Sequence, residues 1–225
     1  MISSTFVKAW VVDIRDSDAT MPRRVVVDAN ILYFVYYDSA ALTSVGGKGP
    51  AHYQATVYPR WWSHAVSKKV ELCTAMTCLA EFAHIVERTE LELLWRMDPV
   101  RPELDPANPS QDYTPRYAKT VRYLYANQLE MIRLEVETSL LSLRKTVELL
   151  PKVGQDADIF AGAVKEWLPA ISDFSDAILV AAAKRVGIFQ IISDDADLIT
   201  FEGITVYTAN RNAIESASAA GKLIT

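Results

Sequence analysis

The chain is 225 residues long and half hydrophobic, with 23 Lys and Arg against 28 Asp and Glu for a net charge of −5. That suits one domain with a buried core. It lacks both a run of roughly 18 uncharged apolar residues, as a membrane span needs, and a basic-then-apolar leader, so we expect a cytoplasmic protein off the membrane. The negative balance argues against charge-driven phosphate binding, although acids that hold divalent cations lower the net charge while presenting a cationic centre once loaded.

Residues 1–21 read as an N-terminal extension, with Phe6–Val12 apolar and able to add an edge strand or pack elsewhere. Arg24-Val25-Val26-Val27 is a β-branched run suited to a strand buried on both faces. It stops at Asp28, and Asn30 follows as either the N-cap of the next helix, Ile31–Tyr36, or a side chain that orients Asp28. Gly46-Gly47-Lys48-Gly49-Pro50 is a loop, and its spacing fits no phosphate cradle. A helix is expected over about 50–67 with Trp61 and Trp62 as packing anchors.

Val70–Thr74 follows as a strand, and then Thr77 caps a helix that carries Glu81 in its first turn, while Glu87, Glu90 and Glu92 read as solvated charges. Cys73 and Cys78, five apart, fit no CxxC motif and read as buried thiols. His52, His64 and His84 stand apart from one another, which excludes a soft-metal cluster. Pro99, Pro102, Pro106 and Pro109 mark a linker. Thr114-Pro115 then opens a long helix over roughly 116–145, which at about 1.5 Å per residue would be roughly 45 Å long. Arg116, Lys119 and Arg122 near its start are candidate RNA contacts, with a solvated helix face as the plainer alternative.

A strand over 146–151 and a helix over 155–167 come next. Ser172 then caps a buried helix that carries Asp176 in its first turn and ends at Gly187. Ile188–Ile192 is a strand that runs into Ser193-Asp194-Asp195-Ala196-Asp197, three acids in four residues that repel one another unless exposed or offset by a cation. A last strand over about 204–207 and a small-residue tail, 209–225, close the chain.

Four places thus put carboxylates where one crevice can collect them: Asp28, Glu81, Asp176, and Asp195 with Asp197. Oxygen donors without His or Cys suit Mg²⁺ or Mn²⁺, ions that keep waters, bind phosphate oxygens and promote phosphodiester hydrolysis.

Here the chain resembles the PIN-domain nucleases, in particular the VapC-type toxins of bacterial toxin–antitoxin systems. The residues that carry the resemblance are Val26-Val27-Asp28-Ala29-Asn30, Thr77-Cys78-Leu79-Ala80-Glu81, Asp176–Ala183 and Ile192–Leu198. It covers about 24–97 and 146–208. It implies an α/β three-layer fold, a mainly parallel sheet flanked by helices, with a linker and long helical insertion at 98–145 inside a PIN-like domain over 22–208. It also implies a metal-dependent endoribonuclease that leaves a 5′-phosphate and a 3′-hydroxyl, with Asp28, Glu81, Asp176 and Asp195 as catalytic and metal-binding acids and Asn30, Ser193 and Asp197 in support. An antitoxin or other inhibitory protein, and a homodimer, are the partners it implies beside RNA. The insertion, the extension and Leu198 in place of the usual aromatic depart from the compact toxins, and the Asp194-Asp195 doublet leaves the fourth ligand open by one residue, with register favouring Asp195. Two other readings stay open: a catalytically silent PIN-like module for RNA or protein binding, and a haloacid-dehalogenase-like phosphohydrolase, which needs a second Asp where this chain has Asn30.

Overall fold

The computed structural model of the chain describes residues 4–16, 19–37, 49–97, 121–150 and 157–224. The short β-branched runs pair into one sheet of β1 (Trp10–Asp13), β2 (Arg24–Val27), β3 (Glu71–Thr74), β4 (Glu148–Leu149), β5 (Gln190–Ile192), β6 (Thr205–Thr208) and β7 (Leu223–Ile224). Their order is β4-β3-β2-β5-β6-β1-β7, and every pairing is parallel. A parallel sheet covered on both faces needs apolar residues at every position, not alternate ones. Val25, Val26 and Val27 meet that demand with no exposed surface, and each such side chain contributes about 2 kcal/mol by leaving water.

The helices are α1 (Ala29–Tyr36), α2 (His52–Ser67), α3 (Met76–Met97), α4 (Ala126–Leu143), α5 (Ala157–Trp167), α6 (Phe174–Arg185) and α7 (Arg211–Ala219). In the first group, α1 packs on α2 and α3, and α3 packs on α4; α5 packs on α6 apart from them. From β2 the chain steps through β3 to β4 on one side, then returns across β2 to β5 and β6 on the other. Right-handed crossovers in opposite directions put the two helix groups on opposite faces, which gives the three-layer α/β arrangement. The reversal falls between β2 and β5, where open α/β sheets form a crevice beyond their strand ends.

Several expectations change. Residues 4–16 supply an inner strand, not an edge: β1 pairs Val11 with Val206 on one side and with Leu223 on the other. The small-residue tail is structured as α7 and β7, because Ala213, Ile214 and Ala217 are enough to bury a helical stripe. Helix α3 starts at Met76, so Thr77 lies inside it. The strand expected over 146–151 shrinks to Glu148–Leu149, and the one over 188–192 to Gln190–Ile192. Trp61 and Trp62 are buried as expected, as are both thiols. No helix among the described residues is long and apolar enough to cross a membrane.

The long helix also differs. Residues 121–124 are helical, a turn follows at Tyr125, and α4 covers Ala126–Leu143, packed on α3 through Ile132, Val136 and Leu143. The proline linker, Thr114-Pro115, Arg116 and Lys119 lie outside the described residues, as does most of the loop at Gly46–Pro50. Arg122 does not reach for a ligand. Its guanidinium binds Glu87 of α3 at 2.7 Å, with Arg133 of α4 3.5 Å from the same carboxylate. The glutamates of α3 are therefore not simply solvated: Glu90 accepts the Tyr37 hydroxyl and Glu92 holds Arg96 at 2.8 Å. Arg122→Ala should lower stability by about 1 kcal/mol, read as a reduced urea midpoint, because it strips the partly buried Glu87 of its closest cation.

Candidate functional site

The crevice is built from the ends of β2 and β5. Val26 pairs with Ile191 and Val27 with Ile192, and the ladder's last bond runs from the Asp28 N–H to the Ile192 carbonyl at 3.1 Å. Asp28 is therefore held beside Ser193. It is also the N-cap of α1, its Oδ1 accepting the Ala29 N–H at 2.7 Å, so Asn30 is not the cap. Asn30 takes the orienting role: its Nδ2 donates to Asp28 Oδ2 at 2.8 Å and its Oδ1 accepts the Asp194 N–H at 3.2 Å. Ser193 Oγ donates to Asp28 Oδ2 at 2.6 Å while accepting the Asp195 N–H at 2.9 Å. This closed ring fixes Asp28 at the floor of the crevice, 7% exposed.

The Asp194-Asp195 doublet divides by direction. Asp194 points inward, accepting the hydroxyls of Tyr58 at 2.6 Å and Tyr53 at 3.0 Å and the amide of Gln54, all on α2. Burial raises its carboxyl, and those three donors oppose the rise. Asp195 caps the short 3₁₀ turn Ala196–Thr200 by accepting the Asp197 N–H at 2.8 Å, and it remains on the crevice side. Tyr58→Phe should cost about 1–3 kcal/mol in urea unfolding, because it leaves a buried carboxylate without the donor on its Oδ1 and removes the acceptor of the Ala209 N–H.

Asp176 stands in the first turn of α6, where the helix dipole favours a carboxylate. The helix is capped by Asp173, not Ser172: Asp173 Oδ1 accepts the N–H groups of Ser175 at 2.8 Å and Asp176 at 3.1 Å. Ser172 instead donates its hydroxyl to Asp176. Asp173 belongs to the acidic group and was not singled out from sequence; the signal was there in Ser172-Asp173-Phe174-Ser175, where Asp173 is the better cap for a hydroxyl two residues on.

Electrostatics tie these acids together. Burial pushes the Asp28 carboxyl up to about 6 against the donors around it, and Glu81 and Asp195 add repulsion. Burial pushes Asp176 up to about 7, with Ser172 opposing and Asp173, Asp28 and Asp195 adding to it. Glu81, at the rim, is raised by residual desolvation and then by Asp173 and Asp195, with His84 opposing. Asp197, also at the rim, is raised by desolvation, Asp195 and Asp173. Asp173 alone is lowered, first by the Ser175 hydroxyl. Among the described residues none of these six acids pairs with a Lys or Arg. Of the four acids expected to gather, Asp28, Glu81 and Asp176 each feel the charge of Asp195, and Asp28 and Glu81 and Asp28 and Asp176 also interact.

They do not form a ready-made cage. Among the described residues no three His, Cys, Asp or Glu side chains converge closely enough to hold a metal ion by themselves. Hard oxygen donors, Asp28 buried, Asp176 partly buried and Glu81 at the rim, fit an ion such as Mg²⁺ that takes one or two carboxylates directly and keeps most of its waters. No family model matches the chain, and no curated protein matches it.

Proposed function

We propose that this protein is a metal-dependent endoribonuclease of the PIN type. The observation that carries the reading is the gathering of Asp28, Glu81, Asp176 and Asp195 at the switch point of a parallel sheet, with burial and mutual repulsion raising Asp28 and Asp176 and no Lys or Arg among the described residues offsetting them. A fold tolerates uncompensated buried acids when something else supplies the missing charge. Mg²⁺ or Mn²⁺ held directly by one or two of these acids, with the others reaching it through its waters, would supply it, and would make a bound water acidic enough to attack phosphorus while offsetting the charge that develops there.

The protein's own part is positioning. Asn30 and Ser193 hold the Asp28 carboxylate in one orientation, Ser172 does so for Asp176, and the inward clamp on Asp194 leaves Asp195 facing the crevice. The crevice orients an RNA phosphate against the strand ends, and an inhibitory protein would act by covering it. The test is incubation of purified protein with a pool of structured and unstructured RNAs in Mg²⁺ or Mn²⁺, against EDTA. Cleavage confined to the metal lanes, with 5′-phosphate ends, supports the reading; equal cleavage in EDTA, or none in any lane, defeats it.

One observation favours a second reading. Because no three acids converge among the described residues, a catalytically silent PIN-like module that binds RNA or protein needs no rearrangement of the crevice. It is distinguished by the absence of turnover under the same metal conditions.

A further inference from the structure

The acids of the crevice have a positive counterpart at the other edge of the sheet. Arg23 stands just before β2 and Asp28 just after it, about 16 Å apart at roughly 3.3 Å per extended residue. At the Arg23 end lies an open cleft of about 520 Å³, lined by Arg23, His64, Lys68 and Lys69, with Met21 and Val70 among its apolar walls. Lys68 and Lys69 are exposed, and among the described residues neither side chain makes a hydrogen bond or an ion pair. Arg23 stands 4.0 Å from Glu71, whose carboxylate Arg24 holds at 2.7 Å.

Lys69 sets this cleft apart, because α2, α6 and α7 all end in the same turn. After α6 the Gly187 N–H reaches the Lys184 carbonyl at 3.0 Å and the Ile188 N–H that of Ala183 at 2.9 Å. After α7 Gly221 reaches Ser218 at 3.1 Å and Lys222 reaches Ala217 at 2.8 Å; after α2 Lys69 reaches Val66 at 3.0 Å and Val70 reaches Ala65 at 2.9 Å. The turn needs a left-handed residue just past the cap, and glycine takes that conformation without a Cβ penalty. Gly187 and Gly221 do so at φ +74° and +66°. After α2 the position is held by Lys69 at φ +58°, the only non-glycine residue with a positive φ among the described residues. The helix dipole favours a cation near this end, but Lys68, the cap, already supplies one. Lys69 therefore keeps a strained backbone at a place where only its side chain distinguishes it from glycine, and that side chain lines the cleft.

We propose that Arg23, Lys68 and Lys69 form a phosphate-binding site at the edge of the sheet opposite the acidic crevice, its ligand the phosphate groups of an RNA strand or of a free polyphosphate. Two ammonium groups act as point charges on phosphate oxygens, and a guanidinium can take two oxygens at once. In a chain of net charge −5, three cations from two separate segments draw an anion to this edge, clear of the acids that would repel it. The site needs no metal in the crevice and does not depend on the nuclease reading.

The test is calorimetric titration of the full chain with sodium tripolyphosphate and, separately, with a short single-stranded RNA, both in EDTA so that no cation in the crevice takes part. Lys69→Gly has two expected effects of opposite sign. Affinity falls about tenfold or more through loss of one charge-assisted contact. The urea midpoint rises, because glycine relieves the left-handed turn, so the weaker binding is not a folding defect. Lys69→Arg, which keeps the charge, should keep the affinity, and Lys145→Ala, which removes an exposed cation beyond the end of α4, should leave it unchanged. Binding of tripolyphosphate, with or without RNA, makes a free polyphosphate a sufficient ligand; binding of RNA alone makes the strand's backbone the source. Binding of neither overturns the proposal, as does an unchanged affinity in Lys69→Gly or an equal loss in Lys145→Ala. Polyglutamate binding as tightly as either phosphate ligand overturns it too, since the cleft would then answer to acidic protein segments. Cleavage enters none of these readouts, so failure of the nuclease reading leaves the site standing.

Discussion

Asp28→Asn is expected to lower RNA cleavage by at least about 10²-fold while leaving the chain folded. The substitution is nearly isosteric, and its carbonyl oxygen can still accept from Ala29, Ser193 or Asn30, so the ring of bonds at the ends of β2 and β5 survives in large part. What it removes is the one fully ionisable group at the crevice floor. Folding should not suffer, because the ionised Asp28 is a liability at neutral pH: burial and two neighbouring acids raise its carboxyl to about 6. Far-ultraviolet circular dichroism and a urea midpoint no lower than that of the unsubstituted chain, beside lost cleavage, would place the defect in chemistry. Cleavage within a few-fold of the original would remove Asp28 from the mechanism.

The second large effect is a dependence of stability on pH that a divalent cation should erase. Asp28 and Asp176 are raised from 3.8 to about 6 and about 7, so between about pH 4 and 7 the folded state binds more protons than the unfolded one. Stability then falls as pH rises through that window. For Asp28 alone the loss between pH 4 and pH 8 is about 2 kcal/mol, and Asp176, Glu81 and Asp197 act in the same direction. Asp173 and Asp13, which are lowered, contribute stability lost only as pH falls below about 4, outside the window. Urea midpoints in EDTA should therefore decline from pH 5 to pH 8. Millimolar Mg²⁺ or Mn²⁺ should hold them level, since a cation that binds only the folded state replaces the lost protons. A flat profile in EDTA would mean that burial and the neighbouring acids do not raise these carboxyls.

The parts of this architecture that sequence reveals are those whose causes are local. A parallel strand buried on both faces is a short apolar run whatever surrounds it, so β2, β3 and β5 could be read directly, and with them Asp28 and Asp195 beyond strand ends and Asp176 in the first turn of α6; Glu81, expected in a first turn, falls in the second turn of α3 because that helix starts at Met76. The α6 glycine was legible for the same reason: Gly187 has a φ of +74°, and the Ile188 N–H closes on the Ala183 carbonyl at 2.9 Å.

Long-range pairing hid the rest. The inward turn of Asp194 depends on Tyr53, Gln54 and Tyr58, about 140 residues earlier, and nothing in Ser193-Asp194-Asp195 announces it. Glu87 looked solvated because its partner Arg122 lies 35 residues on, past the proline-rich stretch. Residues 4–16 gave no hint that β1 would sit between β6 and β7, a position decided by both ends of the chain meeting. The tail from 209 looked structureless because Ala, Ser and Gly carry little hydrophobic signal, though Asn210 caps α7 by accepting the Asn212 N–H at 2.9 Å. Of the two roles open to Asn30 the structure takes the second, holding Asp28, while Asp28 itself caps α1; at α6 the cap expected at Ser172 is Asp173, which frees Ser172 to orient Asp176.

Calorimetric titration of Mn²⁺ into the purified chain at pH 7.5, beside Asp28→Asn, tests most directly whether the carboxylates at the β2–β5 switch point are a metal centre. The expected result is saturable binding with proton release in the unsubstituted protein, as Asp176 and its neighbours give up protons to the cation, and binding weakened at least about tenfold in the variant. Absence of any saturable heat in the unsubstituted protein, or the same affinity in both, would contradict the account.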